Sequence, residues 1–561
     1  MSLRRLLSRV LCFLLPLAIA SSLYLYLYPV FHGCAFPLAR NDRIGSLSTS
    51  FSNALRQHFV PQSVEVPTVF RLLVLADPQL EGDSSLPKPE DELPARIQHH
   101  WTAVKSSVNK TQPFGIFTAV STALRSLAGE DIPCAFRAAL KRLDLLGNDY
   151  YLAHIYRTLH WWSRPTHVTV LGDLIGSQWV TDEEFDRRGR RYWERVFKGG
   201  ERVGDDITVT GAKNYSGSEA KSAGLETLNA TSSAWAQRII NIAGNHDVGY
   251  SGDASEARIK RFERMFGRAN WDVRFQYPLE QVDNSTAPLR APPTLHLINL
   301  NSLTLDSPAL SSDAQSHSYA YINEIISDRS YPVEDRTTFT LLLTHLPLHK
   351  QEGICTDGPY FTFHESDDED GPDDVPRFKA EGLKEQNHLS DHLSTSGVLQ
   401  GIFGMTGDEN APGGGWGRNG LILTGHDHAG CDVVHFVNQT GNSAATEDFP
   451  SRTWKWDAQR YGSGTVDPST PNIREVTLRS MMGEYGGNAG LLSLWFDTAI
   501  NEWKYEITMC MAGVQHIWWA VHIIDLVTCI LLLGYIIVGS ANSTKLCHTE
   551  KLPVGLEKKK N

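Results

Sequence analysis

Gly244-Asn245-His246-Asp247 follows the apolar run 239–243, Ile-Ile-Asn-Ile-Ala, and its reading decides the fold. A short apolar run ending in polar residues reads as a buried strand with those residues in the loop at its carboxyl end. That edge of the sheet is where α/β proteins keep their chemistry. An amide oxygen, an imidazole and a carboxylate in succession supply one metal ligand, one proton donor and one group to orient that donor. A four-residue turn of this composition also satisfies ordinary turn chemistry, so the decision rests on the rest of the chain.

Four further stretches repeat the arrangement. Residues 70–76 run into Asp77-Pro78-Gln79, 167–171 into Gly172-Asp173, 338–343 into Thr344-His345, and 421–424 into Gly425-His426-Asp427-His428. Structural Asp and His scatter over helix faces and turns. Five apolar strands that each end in candidate ligands instead point to one metal site at a shared rim.

The order Asp-x-Gln, Gly-Asp, Gly-Asn-His-Asp, His and Gly-His-x-His resembles the calcineurin-like metallophosphoesterase superfamily, from Asp77 to the end of the part before the second long apolar run. The resemblance implies an α/β sandwich of two facing mixed sheets flanked by helices, and two divalent metal ions. Asp77, Gln79, Asp173 and His428 would hold one ion; Asp173, Asn245, His345 and His426 would hold the other. Asp173 bridges, since one carboxylate can serve two cations about 3.5–4 Å apart. His246 is then the general acid, oriented by Asp247. Two cations sharing a carboxylate lower the pKa of a water molecule between them, and an acid on the far side can protonate a departing alkoxide. Gln79 stands where many members have His; an amide oxygen is a harder, weaker ligand than imidazole and favours Mn²⁺ over Zn²⁺.

Within the superfamily, 76–83 (Ala-Asp-Pro-Gln-Leu-Glu-Gly-Asp), 244–250, 261–266, 345–348 and 425–428 are similar to the fungal phosphodiesterases that remodel glycosylphosphatidylinositol anchors. Those enzymes act in the endoplasmic reticulum and remove an ethanolamine-phosphate branch from an anchor mannose before the anchored protein is exported. The continuation Leu80-Glu81-Gly82-Asp83 favours the second mannose. Similar cysteines occur at places matching Cys355 and Cys431, which implies a disulfide joining the His345 and His428 loops. Two other functions are open: a lumenal phosphatase or pyrophosphatase, and a non-catalytic cargo-sorting protein in which Gln79 weakens the first metal position.

The ends of the chain set the compartment. Arg4, Arg5 and Arg9 lie in an expected cytosolic segment, 1–9, before the apolar run 10–31, which reads as a retained anchor or, with Ala18-Ile19-Ala20, a cleavable signal peptide. A linker, 32–67, precedes a lumenal catalytic domain, 68–512, with insertions at about 199–233, 357–378 and 439–471. The run 514–539 reads as a transmembrane helix, and its basic flank places the tail 540–561 in the cytosol. Lys558 and Lys559, fourth and third from the end, resemble a dilysine retrieval signal read by coat proteins. Asn109, Asn214, Asn229, Asn284 and Asn438 head glycosylation sequons between the two apolar runs, and Cys34, Cys134, Cys355, Cys431 and Cys510 share that compartment. A net charge of −12 with no basic stripe argues against nucleic acid. The implied partners are an anchor glycan as substrate, the membrane itself, and cargo-export receptors.

Overall fold

The computed structural model describes residues 3–37, 70–82, 86–108, 113–208, 225–228, 233–277, 292–327, 335–365, 377–438, 455–464, 470–483 and 486–549, with positions 52, 55, 58, 59, 333 and 466 between them. Two mixed sheets face one another. One has the strand order Glu502–Val514, Gly486–Asp497, Phe70–Leu75, His167–Val170, Arg238–Asn241, Glu201–Arg202. The other runs Lys455–Arg460, Cys431–Asn438, Asn472–Thr477, Gly420–Thr424, Thr338–Thr344, Thr294–Leu300, Trp271–Gln276, Leu225–Thr227.

The sequence runs are nearly continuous in apolar residues because these strands are covered on both faces. Leu72 and Val74 belong with Leu341, Leu343, Leu421 and Leu423 to the core between the sheets. Their neighbours Leu73 and Leu75 belong to the outer core, with Leu152, Ile155 and Leu159 of the helix Ile132–Ser163. Phe70–Leu75, His167–Val170 and Arg238–Asn241 pair in parallel, as do Thr338–Thr344 and Gly420–Thr424. Parallel pairing brings the carboxyl ends of the strands, and so the five candidate loops, to one rim.

Helices span Ile132–Ser163 and Asp182–Arg191, the latter with a π-helical continuation, Tyr192–Val196. Glu256–Phe266 starts on Ser255, whose hydroxyl accepts from the Arg258 N–H at 3.3 Å. The expected insertions are partly drawn into sheets. Glu201–Arg202, Leu225–Thr227 and Lys455–Arg460 are edge strands, and Phe361–Phe363 pairs with Leu383–Gln386. Backbone groups beside an unpaired edge find their partners there.

Two helices, Leu3–Phe31 and Gln515–Ser540 within Gln515–Thr549, are long and apolar enough to cross a membrane. The first starts ahead of the expected apolar boundary, so Arg4, Arg5 and Arg9 lie inside it. The two pack together. Asp525, an acidic side chain in an apolar helix, accepts a hydrogen bond from the Ser22 hydroxyl of the other at 2.9 Å. Glu502–Val514 passes without a break into the carboxyl-terminal helix at Gln515. Cys34, three residues after the amino-terminal helix, is disulfide-bonded to Cys510 on that strand. With Cys355–Cys431 also bonded, Cys134 is left as a free thiol. Asn109, Asn214, Asn229, Asn284, Lys558 and Lys559 lie outside the described residues; Asn438 ends its strand.

Candidate metal centre

The rim loops are held in backbone conformations that cost energy. Asp77, Gln79, Asp173 and His426 have φ of 52°, 43°, 50° and 72°. They make up four of the seven non-glycine residues with positive φ among those described, and all four are candidate ligands. The loops hold one another in place. The Gln79 N–H donates to the Asp173 carbonyl at 2.8 Å and Gly425 N–H to that of His345 at 3.1 Å. His246 N–H donates to Asp173 Oδ1 at 2.9 Å. Two glycines are sterically required. A Cβ on Gly244 would lie 2.0 Å from the Asp173 nitrogen, and one on Gly172 2.2 Å from His345 Nδ1.

Asp173, His345 and His426 bring one ligand atom each within 4.8 Å of one another. His345 Nδ1 lies 2.8 Å from the Leu171 carbonyl, and His426 Nε2 lies 3.0 Å from that of Gln386. A carbonyl only accepts, so each of these nitrogens carries the proton and the other is a bare acceptor. Those acceptors, His345 Nε2 and His426 Nδ1, point at the Asn245 amide oxygen at 2.9 and 3.0 Å. Burial lowers the pKa of both rings, that of His426 to about 3 with His345 adding to the effect. Three lone-pair donors facing each other beside a carboxylate repel unless a cation sits among them. The donor set fits a divalent metal.

The second expected set is brought together in part. Gln79 lies between Asp173 Oδ2, at 3.0 Å, and His428 Nε2, at 3.2 Å. It offers its amide NH₂ to the carboxylate where a ligand would offer oxygen. A half-turn of the amide exchanges the two. Asp77 is fully buried with Oδ2 unpartnered. Burial and the neighbouring Asp173 push its carboxyl well above the usual range. Burial acts the same way on Asp173, but His345, His246 and His426 outweigh it and hold its pKa down. An orphaned buried carboxylate beside an ionised one again suits a cation.

His246 stands at the mouth of the site, 38% exposed, with Nε2 3.8 Å from Asp173 Oδ2 and Nδ1 unpartnered. The expected contact from Asp247 to that ring is not made. The Asp247 carboxylate is turned inward and accepts from the backbone N–H groups of Gly244, Ile175 and Leu174 at 2.9, 2.9 and 3.1 Å. Three buried donors outcompete one half-exposed ring. Asp247 thus fixes the loop that carries His246 to the loop that carries Asp173.

No protein-family model matches the chain. Protein TED1 of Saccharomyces cerevisiae is 34% identical over 420 residues, covering 69% of this chain and 77% of TED1. An uncharacterized protein of Schizosaccharomyces pombe is 28% identical over 417 residues, 70% of this chain and 80% of its own. Metallophosphoesterase 1 of Cricetulus griseus is 21% identical over 351 residues, 60% and 67% of the two chains. The chain is a calcineurin-like metallophosphoesterase related to TED1. As a metallophosphoesterase it is a phosphoesterase that uses divalent metal.

This metallophosphoesterase supports its ligand loops with residues that the motifs do not include. Gln386, on a strand far from any motif, positions His426 through its carbonyl. Behind the His345 loop lies a buried ion network. Glu475 accepts from the Leu348 N–H at 3.0 Å, and its other oxygen lies 3.1 Å from Lys350 Nζ and 2.5 Å from His435 Nε2. Burial raises the Glu475 pKa, but Lys350 and His435 reverse this and hold it at about 2. A Glu in an otherwise alternating strand was the only sequence signal. Two clefts flank the centre. One, of ≈ 300 Å³, opens beside His246. The other, of ≈ 490 Å³, is lined by Gln79 and also by Gln515, the first residue of the carboxyl-terminal helix.

Proposed function

We propose that this metallophosphoesterase is a phosphodiesterase of the endoplasmic reticulum membrane. It removes an ethanolamine-phosphate branch from a mannose of glycosylphosphatidylinositol anchors, the second mannose favoured, and so promotes export of the anchored protein. The observation that carries the reading is a phosphoesterase site on a domain joined at both ends to membrane-length helices. A lipid-anchored substrate is confined to the bilayer, and tethering the enzyme there raises their encounter frequency.

The residues divide the work. Asp173, Asn245, His345 and His426 hold one ion, and Asp77, Gln79, Asp173 and His428 the second, with Mn²⁺ favoured by the amide ligand. When bound, the ions supply positive charge for the phosphoryl oxygens and acidify water. His246, its side chain 38% exposed at the mouth, donates a proton to the departing sugar oxygen. Asp247 keeps its loop in register with Asp173. Both disulfides lie between the two membrane helices in sequence, which suits an oxidising lumen, with both chain ends then cytosolic.

Mass spectrometry of anchor glycans tests the substrate: cells lacking the protein are expected to retain ethanolamine phosphate on the second mannose. Unchanged glycans, with activity on a soluble monoester or pyrophosphate, would transfer the reading to a lumenal phosphatase. The tail is tested separately. Deleting 558–561 is expected to move the protein to later secretory compartments, where its sequon glycans gain later processing. Retention without those residues would assign retrieval to the membrane helices or to a cargo-export receptor.

A further inference from the structure

The ≈ 300 Å³ cleft beside His246 has a chemical character that hydrolysis of a phosphoester does not require. One end is the metal centre, represented by Asp173, Asn245 and His426. Tyr250 continues from it, its buried ring edge-on to that of His426 with centroids 6.1 Å apart. Tyr360 and Glu385 follow. Both are near enough to Tyr250 to raise its pKa, after burial and the Asp173 charge, and Glu385 acts on Tyr360 in the same way. Trp179, 45% exposed, also lines the cleft. Glu385 lies on the short strand Leu383–Gln386, exposed, and no hydrogen bond or ion pair engages its carboxylate among the described residues.

A second carboxylate sits deeper. Asp253 is 1% exposed and lines the same cleft. Its Oδ2 is taken by Arg258 at 2.9 Å and Gln178 at 3.3 Å, while Oδ1 has no partner. An ionised group with a free buried acceptor is costly unless something fills it. Lys384, the residue before Glu385, lines the cleft as well and is exposed like it, so the two opposite charges share this wall. Aromatic faces with carboxylates at the far end of a cleft are how proteins hold an ammonium ion.

We infer that Tyr250, Tyr360, Trp179 and Glu385, backed by Asp253, form a pocket for the primary ammonium of an aminoalkyl phosphate. Its phosphorus would then sit at the metal centre, with the departing sugar oxygen beside His246. The inference rests on the phosphodiesterase reading and adds to it a means of selection. The site distinguishes its substrate by the amine on the transferred side, whatever sugar lies on the other. It involves no covalent step beyond the hydrolysis already described.

Two measurements on the metal-loaded full-length protein test it. Calorimetry should show O-phosphoethanolamine binding about tenfold more tightly than ethyl phosphate, as one ion pair with aromatic contacts supplies about that much. Glu385→Gln should remove most of the difference. Equal affinities in the parent protein, or a preference untouched by Glu385→Gln and by Tyr360→Leu together, would overturn the pocket. Kinetics then uses two matched p-nitrophenyl diesters, aminoethyl and ethyl. The ratio of their kcat/KM values should favour the amine about tenfold and fall towards one in Glu385→Gln. A protein that binds with the preference but cleaves neither diester would keep the pocket and sink the phosphodiesterase reading. Cleavage of both with a ratio of one would do the reverse.

Discussion

Asp173→Asn is expected to abolish turnover and to lower metal content at both positions, while His246→Ala keeps the metal and loses only rate. Asp173 lies against both ligand sets. Its carboxylate is within reach of His345 Nε2, at 3.5 Å, and of the Gln79 amide, at 3.0 Å. It also caps the His246 N–H, so the amide variant loses charge where the loops converge. Losing the ions removes several kcal/mol of transition-state stabilisation, about 10³-fold or more in rate. His246 holds no ligand position and its ring is partly exposed. Its removal should cost roughly 10²–10⁴-fold for an alcohol leaving group. A p-nitrophenyl leaving group needs little protonation and should be cleaved at a rate closer to normal. Metal analysis beside kinetics on both leaving groups decides the matter: equal metal loss in the two variants would end this division of roles.

The second large effect concerns Cys355–Cys431, a bond with a sequence separation of 76. Cys355 follows His345 by ten residues and Cys431 follows His428 by three, so the bond ties a loop that serves one ligand set to a loop that serves both. Chain entropy for a loop of that length gives about 4 kcal/mol of stabilisation. Replacing both cysteines by serine should lower the unfolding midpoint and weaken metal binding together, since misplacing ligands by about 1 Å is costly. Cys134→Ser, at the free thiol, is the control and should change neither. A double variant as stable and as metal-competent as the parent would show that the loops are set by the Lys350–Glu475 network and the backbone bonds alone.

Much of the site was legible because its chemistry demands residues that are improbable in apolar company. Asp77, Asp173, Asn245, His345 and His426 each end a run of buried strand residues, and period and position sufficed to bring them to one rim. The glycines before Asp173 and Asn245 were legible as motif letters, but their reason is steric and appears only when Gly244 meets the Asp173 backbone. Asp247 was misassigned because adjacency in sequence suggested a side-chain contact. Its partners are backbone amides 72 and 73 residues away, which no spacing reveals. Gln386 acts through its carbonyl, a group every residue has. Glu475, Lys350 and His435 look like ordinary polar positions of separate segments until the sheet brings them together. Cys34–Cys510 joins residues 476 apart, and with five cysteines in one compartment, pairing was not decidable from composition.

The Cys34–Cys510 bond also sets what the enzyme can reach. A domain on one flexible tether pivots and samples a hemisphere above its anchor. Here the last strand continues directly into one apolar helix, and a covalent strap fastens the other to that same strand five residues before the helix begins. Two fixed feet leave no swivel. The cleft that reaches from Gln79 to Gln515 therefore keeps a constant distance from the start of the carboxyl-terminal apolar helix. If the proposed anchored substrate is the right one, that fixed distance selects phosphoesters by how far their anchors hold them from the bilayer, before the cleft reads their chemistry.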